Sequence, residues 1–336
     1  MRHEQILQVD IENTFKEIDG GNDPYPRIIE IHPTDVCNQG CDYCFHGGKG
    51  FGDSRDPSKY LKGEQITRFI EEMTQLGIHE LSISGGGEPF LSKDMGTLLS
   101  VANINNINTR IVTNGNFIPD NMLSSIADCS EIRLSMDTVD PKTYSEIRNV
   151  KPTLLAATIE NIKKIVLIKK NKQTNLQIGA TFIVNSQNQE QIVDFASMLL
   201  EEIGIDKVIY KYDVYGKYVP NGDQNLIRES LQQVINRWGP NVDVRKPLDG
   251  FVSGLPCVVP YFKSVVNPYG DVYSCCLGSQ PGEVNGFYLG SINQDAFADV
   301  WKNSKPVRNQ MLKGVKCIDC NFTDREINES YKSFHK

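Results

Sequence analysis

Cysteine is the residue type whose placement here points most directly to chemistry. Cys37, Cys41 and Cys44 stand in the run TDVCNQGCDYCFHGG (34–48), a C-x3-C-x2-C spacing. Thiolates suit zinc and iron–sulfur clusters. A structural zinc site normally closes with a fourth Cys or His, and His46, two residues past Cys44, is available for that place. The other reading is a four-iron cluster with one iron left open to bind a substrate or cofactor directly. A second set, Cys257, Cys275, Cys317 and Cys320, lies towards the C-terminus, with Cys275 in a G-x4-C pattern from Gly270 and the last two in the C-x2-C pair CIDC. Four thiolates complete a cluster's ligand shell, and they also suit a zinc ribbon. Of the nine cysteines, Cys129 and Cys276 remain. Cys129 follows a helical stretch and reads as a small buried apolar residue. Cys276 adjoins Cys275, and its readings from position are packing or ligation.

The elements that must position these thiols follow from periodicity. RIIEIH (27–32) reads as a strand feeding the first cysteine loop, and GEQITRFIEEMTQLG (63–77) as a helix with apolar residues at three- and four-residue steps. The alternation repeats, with further strands expected at 79–84, 109–114, 131–137, 176–184 and 206–214 and helices between them. Six βα repeats imply a parallel sheet, because parallel neighbours need a crossover helix. Such a sheet is either open and doubly wound or a curved partial barrel, and in both a ligand binds at the C-terminal strand ends. After about residue 220 the rhythm changes to a linker, a helix in LIRESLQQVINRW, a hairpin turning at Asn267–Gly270 in KSVVNPYGDVYSCC, and a short helix in DAFADVWKN.

The bulk numbers exclude several classes. A formal charge of −7 over 336 residues argues against broad binding to nucleic acid. No stretch approaches roughly 18 apolar residues, so no membrane-spanning helix is expected, and the N-terminus lacks a signal peptide's apolar core. A cytoplasmic location is expected, where cysteines stay reduced and serve metal binding or catalysis.

The cysteine motif, with aromatic Tyr43 before its last Cys and its place after the first strand, resembles the radical S-adenosylmethionine (SAM) superfamily. The resemblance implies a partial (β/α)6 barrel. It also implies that three cysteines hold a [4Fe–4S] cluster whose fourth iron chelates SAM, and that reductive cleavage yields a 5′-deoxyadenosyl radical able to abstract hydrogen from an unactivated C–H bond. Gly86, Gly87 and Glu88 in SGGGEPF are similar to the family's GGE motif facing the SAM amino group. Asn114 in VTNG, Ser135 in LSMD and Arg148 in TYSEIRN stand where the family places further SAM contacts, the last two on the ribose and the carboxylate. The second cysteine set resembles the "twitch" domain, a shortened SPASM domain, and its spacing is especially similar to the dehydrogenase type of butirosin biosynthesis. No cysteine follows Cys320, so one auxiliary [4Fe–4S] cluster is expected. The expected division is an N-terminal extension (1–26), a radical SAM core (27–220), a linker and helix (221–250) and a small C-terminal twitch domain (251–336).

A fully ligated auxiliary cluster suggests electron transfer, and hence net oxidation of the substrate. The alternatives are redox-neutral epimerisation with Cys276 or Cys129 as hydrogen donor, modification of a peptide, and a non-catalytic iron–sulfur or zinc module. About 26 residues precede the first strand, too few for a peptide-recognition domain. A small polar substrate, such as a sugar or aminocyclitol, is therefore expected ahead of a peptide. A flavodoxin- or ferredoxin-type electron donor is implied by the resemblance. Tyr212, Asp213 and Tyr215, after the sixth strand, are candidate substrate contacts.

Overall fold

The structure, a computed structural model, describes residues 11–44, 46, 56, 58–212, 222–245, 254–276, 287–315, 320 and 322–335. Its centre is a sheet whose first six strands in the chain are all parallel: β1 (Ile28–Ile31), β2 (Glu80–Ile83), β3 (Asn108–Thr113), β4 (Glu131–Ser135), β5 (Gln177–Val184) and β6 (Lys207–Tyr212). The crossovers are α-helical. Among them, α2 (Gly63–Gln75) buries Ile66, Phe69, Ile70 and Met73 on one stripe. α5 (Pro141–Arg148) begins at Asp140, whose carboxylate accepts from the Thr143 amide at 2.8 Å, and stops at Asn149 in a left-handed conformation. The long α6 (Thr153–Lys172) follows it. This is the expected α/β fold, a parallel-sheet core of the partial-barrel kind with a small C-terminal iron–sulfur domain.

Two features were not anticipated. The helix after β6, α8 (Gln224–Trp238), is followed by a short strand β7 (Val242–Val244) that pairs parallel with β6, so the expected linker extends the sheet. At the other edge the C-terminal hairpin, β8 (Lys263–Val266) and β9 (Asp271–Tyr273), joins the same sheet. β8 pairs parallel with β1, matching Ile28 to Lys263 and Ile31 to Val266, and β10 (Tyr288–Ser291) pairs with β9. The order is β10-β9-β8-β1-β2-β3-β4-β5-β6-β7.

The N-terminal segment folds as α1 (Ile11–Asp19) against the C-terminal part. Phe15 packs on Phe262 and on Tyr331 and Phe334 of α11 (Phe322–Phe334), and the Tyr331 hydroxyl donates to Asp19 at 2.6 Å. Asp23 accepts two hydrogen bonds, at 2.7 and 2.6 Å, from Arg308, which is fully buried. α9 (Phe297–Asn303) rests on α2 through Phe297 and Phe69. One hydrophobic core therefore runs from Phe15 through Ile29 and Leu81 to Trp301 and Tyr331.

The two faces of the sheet differ in chemistry. Alternate residues of a strand face opposite sides. Ile29, Leu81, Ile111, Ile132, Ala180 and Val208 are fully buried and form the helix-side face. In register on the other side stand Glu30, Ser82, Arg110 and Glu131, with Arg133, Thr181 and Lys211 further along. A parallel sheet covered by helices on both faces would have apolar side chains on both. This one has a polar open face.

Candidate active site

The cysteine loop leaves β1 at the C-terminal edge of the sheet, and its first support is the glycine pair after β2. Gly87 donates its amide to the Thr34 carbonyl at 3.1 Å, and Glu88 donates to Val36 at 2.7 Å. This close approach needs glycine. A Cβ on Gly87 would lie 2.2 Å from the Val36 carbonyl oxygen, and one on Gly86 would lie 2.6 Å from Asp35 Oδ1. The glycines thus press β2's end against the backbone just before Cys37. The Glu88 carboxylate accepts from Thr113 Oγ1 at 2.6 Å and from the amides of Asn114 and Phe90 at 2.7 and 3.2 Å. Burial pushes this carboxyl up to about 7 against those three hydrogen bonds. Glu88, expected to meet an ammonium group, braces β2 against β3 here. Asn114 reaches the cysteine loop, donating Nδ2 to Asn38 Oδ1 at 2.7 Å.

The second support is the C-terminus of α5. The amides of Gly40 and Asp42 donate to the carbonyls of Arg148 and Ile147. Gln39 donates to Asn116 at 2.7 Å and to the Tyr144 hydroxyl at 2.9 Å, both buried. Arg148 is 4% exposed, and its Nη1 donates to Cys41 Sγ at 3.5 Å and to Gln39 Oε1 at 3.4 Å. Its Nη2 lies 2.6 Å from Asp137 Oδ2, and its guanidinium lies over the Tyr43 ring at 5.6 Å. Tyr43 donates its hydroxyl to the same Asp137, whose other oxygen accepts from the Ile183 amide at 2.8 Å. Arg148, expected on the SAM carboxylate, is here engaged by Asp137 and Cys41. Asp137, Gln39, Asn116 and Tyr144 escaped the sequence reading. Asp137 closes the LSMD run, and its left-handed backbone (φ 67°) is the kind of conformation Asp tolerates.

Cys41 is buried and Cys37 and Cys44 are half-buried. Burial pushes Cys37 up to about 11, with Cys41 and Cys44 adding like-charge repulsion. Burial also raises Cys41, while the Arg148 charge opposes the shift. Among the described residues no three of His, Cys, Asp or Glu stand close enough together to hold a metal ion as they lie, so what fits a three-thiolate iron–sulfur cluster is the donor set itself, three cysteines on one short loop, whose thiols release their protons on binding metal. His46 lies beside His32, ring centroids 5.5 Å apart. Ser135 ends β4 on the open face.

In the C-terminal set, Cys257 and Cys275 belong to a small apolar cluster with Val259 and Met311, apart from the main core. Asn328 of α11 donates to Cys257 Sγ at 3.8 Å. Lys263 of β8 pairs with Asp324 at 3.2 Å and with Glu30 at 3.7 Å. Burial opposes its charge, yet Asp324, Cys276, Glu30 and Cys275 keep its pKa raised. A lysine thus joins this cysteine set to the strand that feeds the first. The structure thus brings Cys257 and Cys275 together, while Cys317 lies outside the described residues, as do Asp213 and Tyr215.

Two residues named from the sequence lie away from the open face. Cys129 precedes β4, at the opposite end of the sheet from the cysteine loop. It is 4% exposed within the apolar core, and its thiol donates to the Ser125 carbonyl at 3.4 Å. It packs there, in line with its reading as a small buried apolar residue. Tyr212 packs against the hydrophobic core on the helix side, and its neighbour Lys211 takes the open face.

Comparison with known proteins agrees with this architecture. Residues 31–199 match the radical SAM superfamily, and residues 257–321 match the SPASM iron–sulfur cluster-binding domain. Over 90% of its length the chain is 23% identical to the mycofactocin maturase MftC of Mycolicibacterium smegmatis, covering 80% of that protein. Over 63% it is 26% identical to a probable GTP 3′,8-cyclase of Methanocaldococcus jannaschii, covering 69% of that protein. SuiB of Streptococcus suis, solved with S-adenosylmethionine, superposes with a TM-score of 0.67 at 20% identity, covering 91% of this chain and 72% of that one. The butirosin-type protein BtrN is only a distant neighbour, 14% identical with a TM-score of 0.42. With half of its residues matched to that superfamily and a cluster-binding domain behind them, the chain belongs to the radical SAM enzymes, which bind SAM on a [4Fe–4S] cluster, and it carries an auxiliary iron–sulfur cluster in its SPASM domain.

Proposed function

We propose that Cys37, Cys41 and Cys44 ligate the SAM-binding cluster and that Cys257, Cys275, Cys317 and Cys320 ligate the auxiliary one. The enzyme then oxidises a polar substrate seated against the open face of the sheet. When bound, SAM and its cluster supply a 5′-deoxyadenosyl radical that takes a hydrogen atom from an unactivated C–H bond, and the auxiliary cluster offers an acceptor for the electron left behind. The protein's share is positional. Gly87 and Glu88 hold the loop before Cys37, Arg148 holds Cys41, and Gln39 ties the loop to Asn116 and Tyr144. The observation that carries this reading is the pinning of the three-cysteine loop at the C-terminal edge of a sheet whose open face is polar.

A second reading, peptide modification, is favoured by the span of the relatives. The maturase matches both the core and the cluster-binding region, and SuiB has been solved with its precursor peptide SuiA.

Oxidation is tested with substrate deuterated at the reacting carbon. The label should appear in 5′-deoxyadenosine, and the product should be two mass units lighter than unlabelled substrate, having lost two hydrogens, and carry no deuterium. Cys276→Ala should turn over near the wild-type rate. Product of unchanged mass that gains one deuterium from heavy water, and that is lost in Cys276→Ala, would instead establish epimerisation.

A further inference from the structure

The open face of the sheet carries more cations than it pairs. Arg133 is bonded to Glu131 through Nε and Nη2 at 3.0 and 2.7 Å. Lys207 and Arg245 share Asp243 at 3.2 and 3.5 Å, and Lys263 has Glu30 and Asp324. Glu30 is further engaged by His32 at 2.9 Å and Ser84 at 2.8 Å. Arg110 and Lys211 remain. Among the described residues neither has a carboxylate within ion-pair distance. Arg110 donates once, to Ser82 Oγ at 3.2 Å, and its buried Nε has no acceptor. Between Arg133 on β4 and Lys211 on β6 lies Thr181 of β5, 6% exposed, whose buried hydroxyl also has no partner among the described residues.

Such an arrangement is costly when empty. Buried donors left unmade lose the hydrogen bonds they had in water, and like charges gathered away from solvent repel. The strain is visible in the titration. Burial and then Arg133 lower Arg110 to about 10, although Glu131 and Glu30 oppose the shift, and burial, Arg133 and Arg110 lower Lys211 to about 7 against the pull of Asp243 and Glu131. An anion with several acceptor oxygens would satisfy the guanidinium, the ammonium and the hydroxyl together.

We propose that Arg110, Lys211 and the Thr181 hydroxyl form a receptor for an oxyanion of the substrate, a phosphate or a carboxylate. The proposal rests on the reading that substrate occupies this face, and it narrows that reading. A cationic aminocyclitol would add to the repulsion among Arg110, Arg133 and Lys211, whereas an anionic substrate relieves it.

The test is calorimetric titration of the anaerobically reconstituted, SAM-loaded enzyme with tripolyphosphate and, separately, with glutarate. Binding is expected for at least one probe, and the preferred probe tells a phosphorylated substrate from a carboxylate. Arg110→Gln, Lys211→Met and Thr181→Val should each weaken it, the two charge removals by about tenfold, while Arg110→Lys stays within about threefold and the surface variant Lys172→Met binds as wild type. In wild type, where no variant has to fold, the bound probe should protect Lys211 from acylation, read by mass spectrometry. Failure of both probes to bind, unchanged affinity in Arg110→Gln and Lys211→Met, or binding without protection of Lys211 would overturn the receptor. Substrate-free SAM cleavage reports the radical reading separately, so its loss with intact probe binding would remove that reading and leave the receptor standing.

Discussion

Asp137 and Arg148 meet at 2.6 Å with their side chains 1% and 4% exposed, behind the loop that carries Cys41. The same carboxylate accepts from Tyr43, and the same guanidinium donates to Cys41 Sγ. The ion pair therefore fixes two residues of the cysteine loop to the end of β4 and the end of α5. A buried charge pair owes its stability to both members being present, since either alone is an uncompensated charge.

Asp137→Asn or Arg148→Met should each lower the unfolding free energy by about 3–5 kcal/mol. The double variant should lose less than the sum of the two. Urea denaturation of the four proteins in the cluster-free state measures this. Additive losses would mean that the two charges do not stabilise one another.

Gly87→Ala should damage the loop more than Gly86→Ala. The new methyl group at 87 meets backbone, 2.2 Å from the Val36 oxygen, whereas at 86 it meets the movable side chain of Asp35. Gly87→Ala should therefore lose most of the iron of the SAM-binding site. Gly86→Ala should retain it with a lower melting temperature. Equal iron content in the two variants would show that the backbone contact is not needed for cluster assembly.

Iron counting separates the two thiol sets. The reconstituted enzyme should hold about eight irons per chain, as two four-iron clusters, with negligible zinc. Replacing Cys37, Cys41 and Cys44 together by Ala should leave about four irons and abolish 5′-deoxyadenosine formation. Stoichiometric zinc on the C-terminal set would remove the electron acceptor from the scheme.

Lys211 predicts a pH dependence whose sign can be stated. Its folded pKa of about 7 lies below the ordinary lysine value of about 10.4. Between these two values the unfolded chain binds more protons than the folded one, so this group makes stability rise with pH across that window. Below about 7 both states are protonated and the full cost of the buried ammonium is present. An oxyanion beside it favours the charged form, so probe affinity should fall by at most tenfold per pH unit as pH rises above about 7. Lys211→Met should flatten both profiles. Titrations from pH 6 to 9 check this, and an affinity that climbs with pH would contradict it.

The six parallel strands were legible because each carries an apolar alternate-residue pattern bounded by turns and followed by a helical period. β7, with three residues, is too short to show a period, and β10, YLGS, has a glycine in its span and no βα repeat around it to mark it. The pairing of β8 with β1 is a tertiary fact, and no local pattern encodes it. Arg148 shows the same limit within the site. In sequence it is one polar residue of an eight-residue helix, and only folding reveals its burial and its carboxylate. The polar face was present in the letters, in the alternation of Glu30, Arg110, Arg133 and Lys211 with apolar neighbours. Its meaning depended on register, which places those residues on one side.

The parallel pairing of β1 with β8 also bears on synthesis. β1 is among the first strands to leave the ribosome, but the strand that covers its outer edge begins at residue 263, about 235 positions after Ile28. At translation rates of ~5–20 residues per second, that edge waits roughly 10–50 seconds for its partner. An unpaired strand edge is a template for wrong pairing. The nascent chain therefore carries its cysteine loop beside an open edge until residue 263 and its neighbours emerge, and a chaperone that holds this edge would be expected to raise the yield of protein competent to receive its clusters.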